Sequence, residues 1–167
     1  MKVAIGGSLA VRSILGVERP GERSGSKAVT NPNRSASRDV RILLVDDSEA
    51  IRFALSRYLE SHGYTIVVAD SAAAAIAEIH REAPLDFILT DFLLPDADGL
   101  AVALAARNRK IRPCIYLITG WDLEDDRLES VDRVLPKPVV PGELLRFLAE
   151  DSAARSAASV DPEPRDE

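Results

Sequence analysis

The chain is poor in the residues that support covalent cross-linking and soft-metal chemistry. Its 167 residues include one cysteine, Cys114, and one tryptophan, Trp121. A single thiol closes no internal disulfide and gives no thiolate metal cluster. Cys114 lies in the apolar stretch RPCIYLITG, where a buried, inert thiol is the expectation. The two histidines, His62 and His80, fall in different segments without metal-ligand spacing. No apolar run reaches the ~18 residues that span a bilayer. Residues 3–17 resemble a secretion signal only superficially, because Gly6, Gly7, Ser8 and Arg12 interrupt them and no cleavage site follows. A cytoplasmic location is therefore expected. Gly6-Gly7 also lacks the glycine spacing and the Lys-Ser or Lys-Thr of a phosphate-cradling loop.

Composition and charge divide what is present into three parts. The formal net charge is -6, yet residues 1–38 carry seven Lys or Arg against Glu18 and Glu22. Their Gly, Pro, Ser and Asn content buries too little apolar surface to order a chain. Residues 1–38 are thus expected to be a disordered basic extension, or the result of a start codon placed too far upstream. No aromatic residue interrupts the basic positions, which argues against a nucleic-acid hook. Residues 151–167, DSAARSAASVDPEPRDE, read as a disordered C-terminal tail. Residues 39–150 hold the regular patterns and are expected to form one domain.

In that domain strand and helix signals alternate. Val40–Val45, Tyr64–Ala69, Phe87–Thr90, Ile115–Ile118 and Val134-Leu135 are apolar or β-branched runs. Between them, Ser48 is placed to cap a helix with Ile51, Ala54, Leu55, Tyr58 and Leu59 inward, ended by Gly63. Ser71 opens an Ala-rich helix with Ile76 and Ile79, and Asp98 opens one with Leu100, Ala103 and Leu104 inward. The acidic stretch Asp122–Ser130 predicts a brief or frayed helix. Pro141 suits the first turn of a final helix presenting Leu144, Leu145 and Leu148. Such alternation predicts an α/β fold, a parallel sheet covered on both faces. Right-handed crossovers then place every strand's C-terminal end on one edge, where open α/β sheets bind ligands.

That edge collects the chemistry. Asp46 and Asp47 follow the first strand, Asp91 the third, Thr119 the fourth and Lys137 the fifth. Three carboxylates gathered without a counter-ion raise one another's pKa. A hard divalent cation such as Mg2+ relieves this, taking the carboxylates and a backbone carbonyl near Leu93 as oxygen ligands. With a metal in place, one carboxylate becomes a nucleophile toward a phosphoryl group. Lys137 and Thr119 supply an ammonium and a hydroxyl for its oxygens.

The segments ILLVDDSE, LTDFLLPDADGL, YLITG and VLPKPV, with 44 residues from Asp47 to Asp91, together resemble the receiver domain of two-component response regulators. The resemblance covers about Arg41 to Leu148. It implies a doubly wound, flavodoxin-like five-stranded parallel sheet in the order 2-1-3-4-5. It implies that Asp91 is the phosphoacceptor, that Asp47 is a direct Mg2+ ligand, that Asp46 is the second acid, and that Leu93 contributes its backbone carbonyl. Thr119 and Lys137 would bind phosphoryl oxygens, and Pro138 would follow a cis bond. Pro95, Asp98 and Gly99 would shape the loop after the acceptor. The implied partners are a sensor histidine kinase or histidine phosphotransfer protein and a downstream protein target.

The chain departs from that pattern in places. The switch position, usually Tyr or Phe, is Val134, so no aromatic ring is available to rotate there. The interval from Thr119 to Lys137 is short, which predicts an abbreviated fourth helix. The TGW segment and VDRVLPKP resemble receivers associated with hybrid sensor kinases. Leu93 and Trp121 flank the expected route of a hydrolytic water without orienting it, which predicts slow self-dephosphorylation. The residues after Glu150 are too few for a DNA-binding or catalytic domain, so a single-domain receiver acting by docking is expected. The alternatives are a phosphorylation-independent adaptor and a haloacid dehalogenase-like phosphatase. The phosphatase is the weaker, because Phe92-Leu93 leaves no general acid two residues after Asp91.

Overall fold

The computed structural model describes residues 39–158 apart from 82 and 125. The expected extension 1–38 and residues 159–167 of the expected tail lie outside the described residues. In chain order the elements are β1 (Arg41–Val45), α1 (Glu49–Ser61), β2 (Thr65–Ala69), α2 (Ala72–His80), β3 (Phe87–Asp91), α3 (Gly99–Arg107), β4 (Cys114–Thr119), a 3-10 helix (Asp126–Ser130), β5 (Arg133–Pro136) and α4 (Pro141–Ala158). All strand pairings are parallel, as the alternation of strand and helix signals predicts, and the sheet order is β2-β1-β3-β4-β5, as the resemblance to receiver domains implies.

Successive side chains in a strand point to opposite faces, and here both faces are buried. Ile42, Leu44, Phe87, Leu89, Tyr116 and Ile118 face one way, against Leu55 and Leu59 of α1 and Leu144 and Leu148 of α4. Leu43, Val45, Ile88 and Ile115 face the other way, against Ala72, Ala75 and Ile79 of α2 and Val102, Ala103 and Ala106 of α3. The small residues of α2 and α3 let those helices approach the sheet closely. The helices begin where the sequence places caps: Ser48, Ser71 and Asp98 accept from the amides of Ile51, Ala74 and Ala101. Gly63 takes a positive φ of 90° after α1, a conformation that favours glycine.

Three expectations need correction. Ile51 and Ala54 are exposed rather than inward. The first turn of α1 stands over the strand ends, beyond the surface the sheet offers, and Ala54 lies beside the stripe formed by Leu55 and Leu59. Leu104 is likewise exposed, at the flank of the α3 stripe. The boundary at residue 150 is also too early, because α4 continues to Ala158. Polar anchors hold the extra turns: Asp151 accepts from the Tyr116 hydroxyl and pairs with Arg133 at 3.2 Å, and Arg155 Nη2 donates to the Arg112 carbonyl at 2.7 Å.

Among the described residues of the connection between β4 and β5 the helical element is the short 3-10 helix, where the sequence predicts an abbreviated one. Among the described residues no helix is long and apolar enough to cross a membrane.

Candidate functional site

The five residues singled out in the sequence stand along one sheet edge. Asp46 and Asp47 leave the end of β1, while Asp91 ends β3 and Thr119 ends β4. Thr119 pairs with Pro136 in register, which sets Lys137 one residue beyond β5. The Lys137 amide donates to the Thr119 carbonyl at 2.8 Å, so the last two strands stay joined at their tips. The Lys137–Pro138 peptide is cis.

Asp46, Asp47 and Asp91 each direct a carboxylate oxygen into one cluster, with these oxygens within 4.8 Å of one another. Asp46 and Asp91 are buried and Asp47 is exposed, so the cluster opens to solvent on one side. Lys137 Nζ lies 2.7 Å from Asp91 Oδ2 and 3.8 Å from Asp46 Oδ2. Burial raises the Asp46 pKa above the ordinary carboxylate value. The Ser48 amide and the Lys137 charge oppose that rise, while Asp91 and Asp47 add to it. A set of hard oxygen donors with one acid kept costly to ionise fits a divalent cation, which favours the ionised form.

Backbone contacts fix the carboxylates in place. The Ser48 amide donates to Asp46 Oδ1 at 2.9 Å, and the Leu93 amide to Asp91 Oδ1 at 3.3 Å. Arg52 Nη1 donates to the carbonyls of Asp46 at 2.7 Å and Asp47 at 2.9 Å. The guanidinium thereby holds the backbone of the acid pair from the first turn of α1.

The other predicted positions divide. Thr119 is buried, and its hydroxyl oxygen accepts from the Trp121 amide at 3.0 Å instead of meeting Asp91. Leu93 is 55% exposed and Trp121 65% exposed, which leaves two apolar side chains on the surface beside the cluster. Val134 is 46% exposed on β5.

Arg52 went unremarked in the sequence reading, as did Asp96 and Arg127. Asp96 accepts from the amides of Ala72 and Ala73 at 2.8 Å each, tying the loop after Asp91 to the start of α2. Arg127 pairs with Asp98 at 2.9 Å, tying the same loop to the 3-10 helix. These partners are 23, 24 and 29 residues apart, beyond the reach of a local motif. For Arg52 a signal existed, since a cation one turn into the helix after an acidic pair has its carbonyls in reach.

Comparison with known proteins agrees with this geometry. A family model described as the response regulator receiver domain matches residues 42–149. The chain is 33% identical over 145 residues to the response regulator MprA of Mycolicibacterium vanbaalenii, covering 76% of this chain and 62% of that protein. It therefore spans less than two thirds of that relative's length. A CheY-like receiver domain protein from Methanospirillum hungatei has a similar structure, with a TM-score of 0.66 and 28% identity over 73% of this chain and 100% of that one. The response regulator TrrA of Thermotoga maritima, solved in complex with Mg(2+)-BeF, gives a TM-score of 0.61 and 28% identity over 66% of this chain and 97% of its own. The family model reaches from the second residue of β1 well into α4 and so takes in the whole acidic edge; this chain belongs to the response regulator receiver domain family.

Proposed function

We propose that this chain is a phosphorylatable signalling domain of a two-component phosphorelay, taking a phosphoryl group onto Asp91 in a Mg2+-dependent reaction. The observation that carries the reading is the meeting at Asp91: its carboxylate stands 2.7 Å from the Lys137 ammonium and within 4.8 Å of oxygens from Asp46 and Asp47. The donor is a phosphohistidine on a sensor histidine kinase or a histidine phosphotransfer protein. A carboxylate oxygen of Asp91 attacks phosphorus and an O–P bond forms. The P–N bond breaks, its electron pair stays on the imidazole nitrogen, and a proton from solvent completes the neutral ring.

Asp46, Asp47 and Asp91, with the backbone carbonyl of Leu93, would hold Mg2+, which supplies positive charge against the carboxylates and the phosphoryl oxygens. Lys137 adds a mobile point charge, passing from Asp91 Oδ2 to a phosphoryl oxygen after transfer. The Thr119 hydroxyl would donate a hydrogen bond to a second phosphoryl oxygen. Arg52 keeps the acid pair from shifting while charge moves. The acceptor is the protein's own residue, so no separate substrate is turned over. The result is passed on by docking to another protein.

Val134 favours one alternative, an adaptor that docks without phosphorylation, because the switch position carries no ring to reorient. Both readings meet in one experiment. Native chain and Asp91→Asn are incubated with acetyl phosphate, with and without Mg2+, and intact mass is read. Uptake of one phosphoryl group by the native chain alone, lost on removing Mg2+, is the expected result. No uptake by folded native protein, repeated with a phosphohistidine donor, establishes the adaptor instead.

A further inference from the structure

Two loops flank Asp91, and one ion pair joins them. Asp98 Oδ1 accepts from the Ala101 amide at 3.0 Å and from Arg127 Nη1 at 3.3 Å, while Asp98 Oδ2 meets Arg127 Nη2 at 2.9 Å. Asp98 thus caps α3 and grips the 3-10 helix with the same carboxylate, in the two-pronged geometry that suits a guanidinium.

The cap is pressed against the acceptor. The Gly99 amide donates to the Phe92 carbonyl at 2.8 Å, and a side-chain carbon added at Gly99 would fall 2.2 Å from the Asp91 carbonyl oxygen. Backbone motion at Asp91 is therefore passed to Gly99, and Asp98 is bonded to Gly99. On its other side the 3-10 helix is anchored to the core. Ser130 at its end is buried, Arg112 Nη2 donates to the Ser130 carbonyl at 3.2 Å, and the next residue, Val131, packs against the core cluster of α2 and α3.

We propose that the Asp98–Arg127 pair is the relay by which phosphorylation of Asp91 is read at the segment 121–132, in place of an aromatic switch on β5. The inference rests on Asp91 being the acceptor. Added charge and bulk on the Asp91 side chain shift the end of β3, Gly99 follows by contact, and Asp98 moves relative to the anchored helix. The changed grip on Arg127 alters the acidic surface of Asp122, Glu124, Asp126 and Glu129, which is the part a partner meets. Arg127 is a positioning residue in this scheme.

The test compares the full native chain with Arg127→Gln, Arg127→Lys and Asp98→Asn, the last of which keeps a capping oxygen. Each is phosphorylated with acetyl phosphate and Mg2+. Intact mass records occupancy, while hydrogen exchange of residues 121–132 and the fluorescence of Trp121, the chain's one tryptophan, record the response. In the native chain, phosphorylation changes exchange in 121–132 roughly two- to fivefold, the scale a half-exposed ion pair supports. Arg127→Gln and Asp98→Asn reach the same occupancy and lose that change, and Arg127→Lys keeps part of it. Full occupancy with an undiminished response in Arg127→Gln overturns the relay and leaves the acceptor reading standing. Absence of uptake in the native chain overturns both, and the mass measurement distinguishes that outcome from the first.

Discussion

Gly99 lies so close to Asp91 that the Asp91 carbonyl oxygen occupies the space where a β-carbon would stand, 2.2 Å from its ideal position. The Leu117 side chain closes the same space from β4 at 2.9 Å. No rotamer change relieves a clash with backbone, so the start of α3 or the end of β3 must shift in Gly99→Ala. Overpacking of this kind costs about 1–3 kcal/mol. The urea midpoint is expected to fall accordingly with the slope unchanged. Gly142 is the internal contrast. Nothing lies within 4 Å of a carbon added there, in the first turn of α4. Gly142→Ala is expected to gain about 0.5 kcal/mol from helix propensity and a less disordered unfolded chain. Equal effects at the two glycines would contradict the close contact of Gly99 with the Asp91 backbone.

Asp96 gives the chain a pH-dependent hold on the loop after Asp91. Hydrogen bonds from the Ala73 and Ala72 amides lower its pKa below the ordinary carboxylate value, helped by the positive end of α2. A group whose folded pKa is depressed contributes stability above its unfolded pKa and loses it as pH falls through the folded one. Asp96→Asn has an amide nitrogen facing one of the two donors, so it is less stable than the native chain at neutral pH. That difference is expected to shrink as the pH falls below about 4, where the unfolded carboxylate protonates. Denaturation of both proteins at pH 7 and pH 3 measures it, and a difference that stays constant would refute the hold.

The acidic edge was legible in the sequence because the apolar runs of β1, β3 and β4 each give way directly to a polar residue at the strand's C-terminal end. Val45 gives way to Asp46, Thr90 to Asp91 and Ile118 to Thr119. The sheet was legible for a related reason, since strands buried on both faces read as unbroken apolar runs. What holds the edge together was not. Arg52 acts on carbonyls one turn away, a local signal passed over, whereas Asp96 acts on amides and Arg127 on a carboxylate 23 to 29 residues away, and those distant partners carry no mark in composition or period. The faces of α1 and α3 were read too generously because Ile51, Ala54 and Leu104 keep helical spacing outside the stripe the sheet covers. The end of α4 was misread because 151–158 is polar, and its anchors are Tyr116, Arg133 and Arg112 on the far side of the sequence.

The surface around Asp91 bears on how long a phosphoryl group would stay. Leu93 and Trp121 are both largely exposed, and neither side chain bears an acid or amide able to orient water. Hydrolysis needs water aligned opposite the Asp91 oxygen, and alignment is worth orders of magnitude in rate. Slow self-dephosphorylation is expected, and the double variant Leu93→Asn, Trp121→Ala is expected to decay faster. Phosphorus-labelled protein followed after donor removal decides between the outcomes. Native decay within seconds, or no acceleration in the variant, would remove the role assigned to these side chains.

Tyr116 and Asp151 tie the extension of α4 to the centre of the sheet. The Tyr116 hydroxyl donates to Asp151 Oδ2, and Arg133 Nη2 reaches both oxygens of that carboxylate at 3.2 and 3.3 Å. The Arg133 guanidinium also stacks 4.2 Å from the centre of the Phe147 ring, which fixes β5 beside α4. Burial first, and the carboxylate second, push the Tyr116 pKa up, so its hydroxyl stays protonated and donating. Asp151→Ala strands that hydroxyl inside the core and leaves Arg133 without its acceptor. Leaving a buried donor unsatisfied costs about 1–3 kcal/mol, so a loss near the upper end is expected. Tyr116→Phe keeps the edge contact with Phe87 and removes one hydrogen bond, at about 1 kcal/mol. Once Asp151 is gone the hydroxyl keeps only the Arg133 guanidinium beside it, so adding Tyr116→Phe to Asp151→Ala is expected to cost much less than Tyr116→Phe alone. A double-mutant cycle in urea reads the coupling directly. Strictly additive losses would mean that Asp151 holds α4 through Arg133 and the Cys114 thiol, with Tyr116 no part of the anchor.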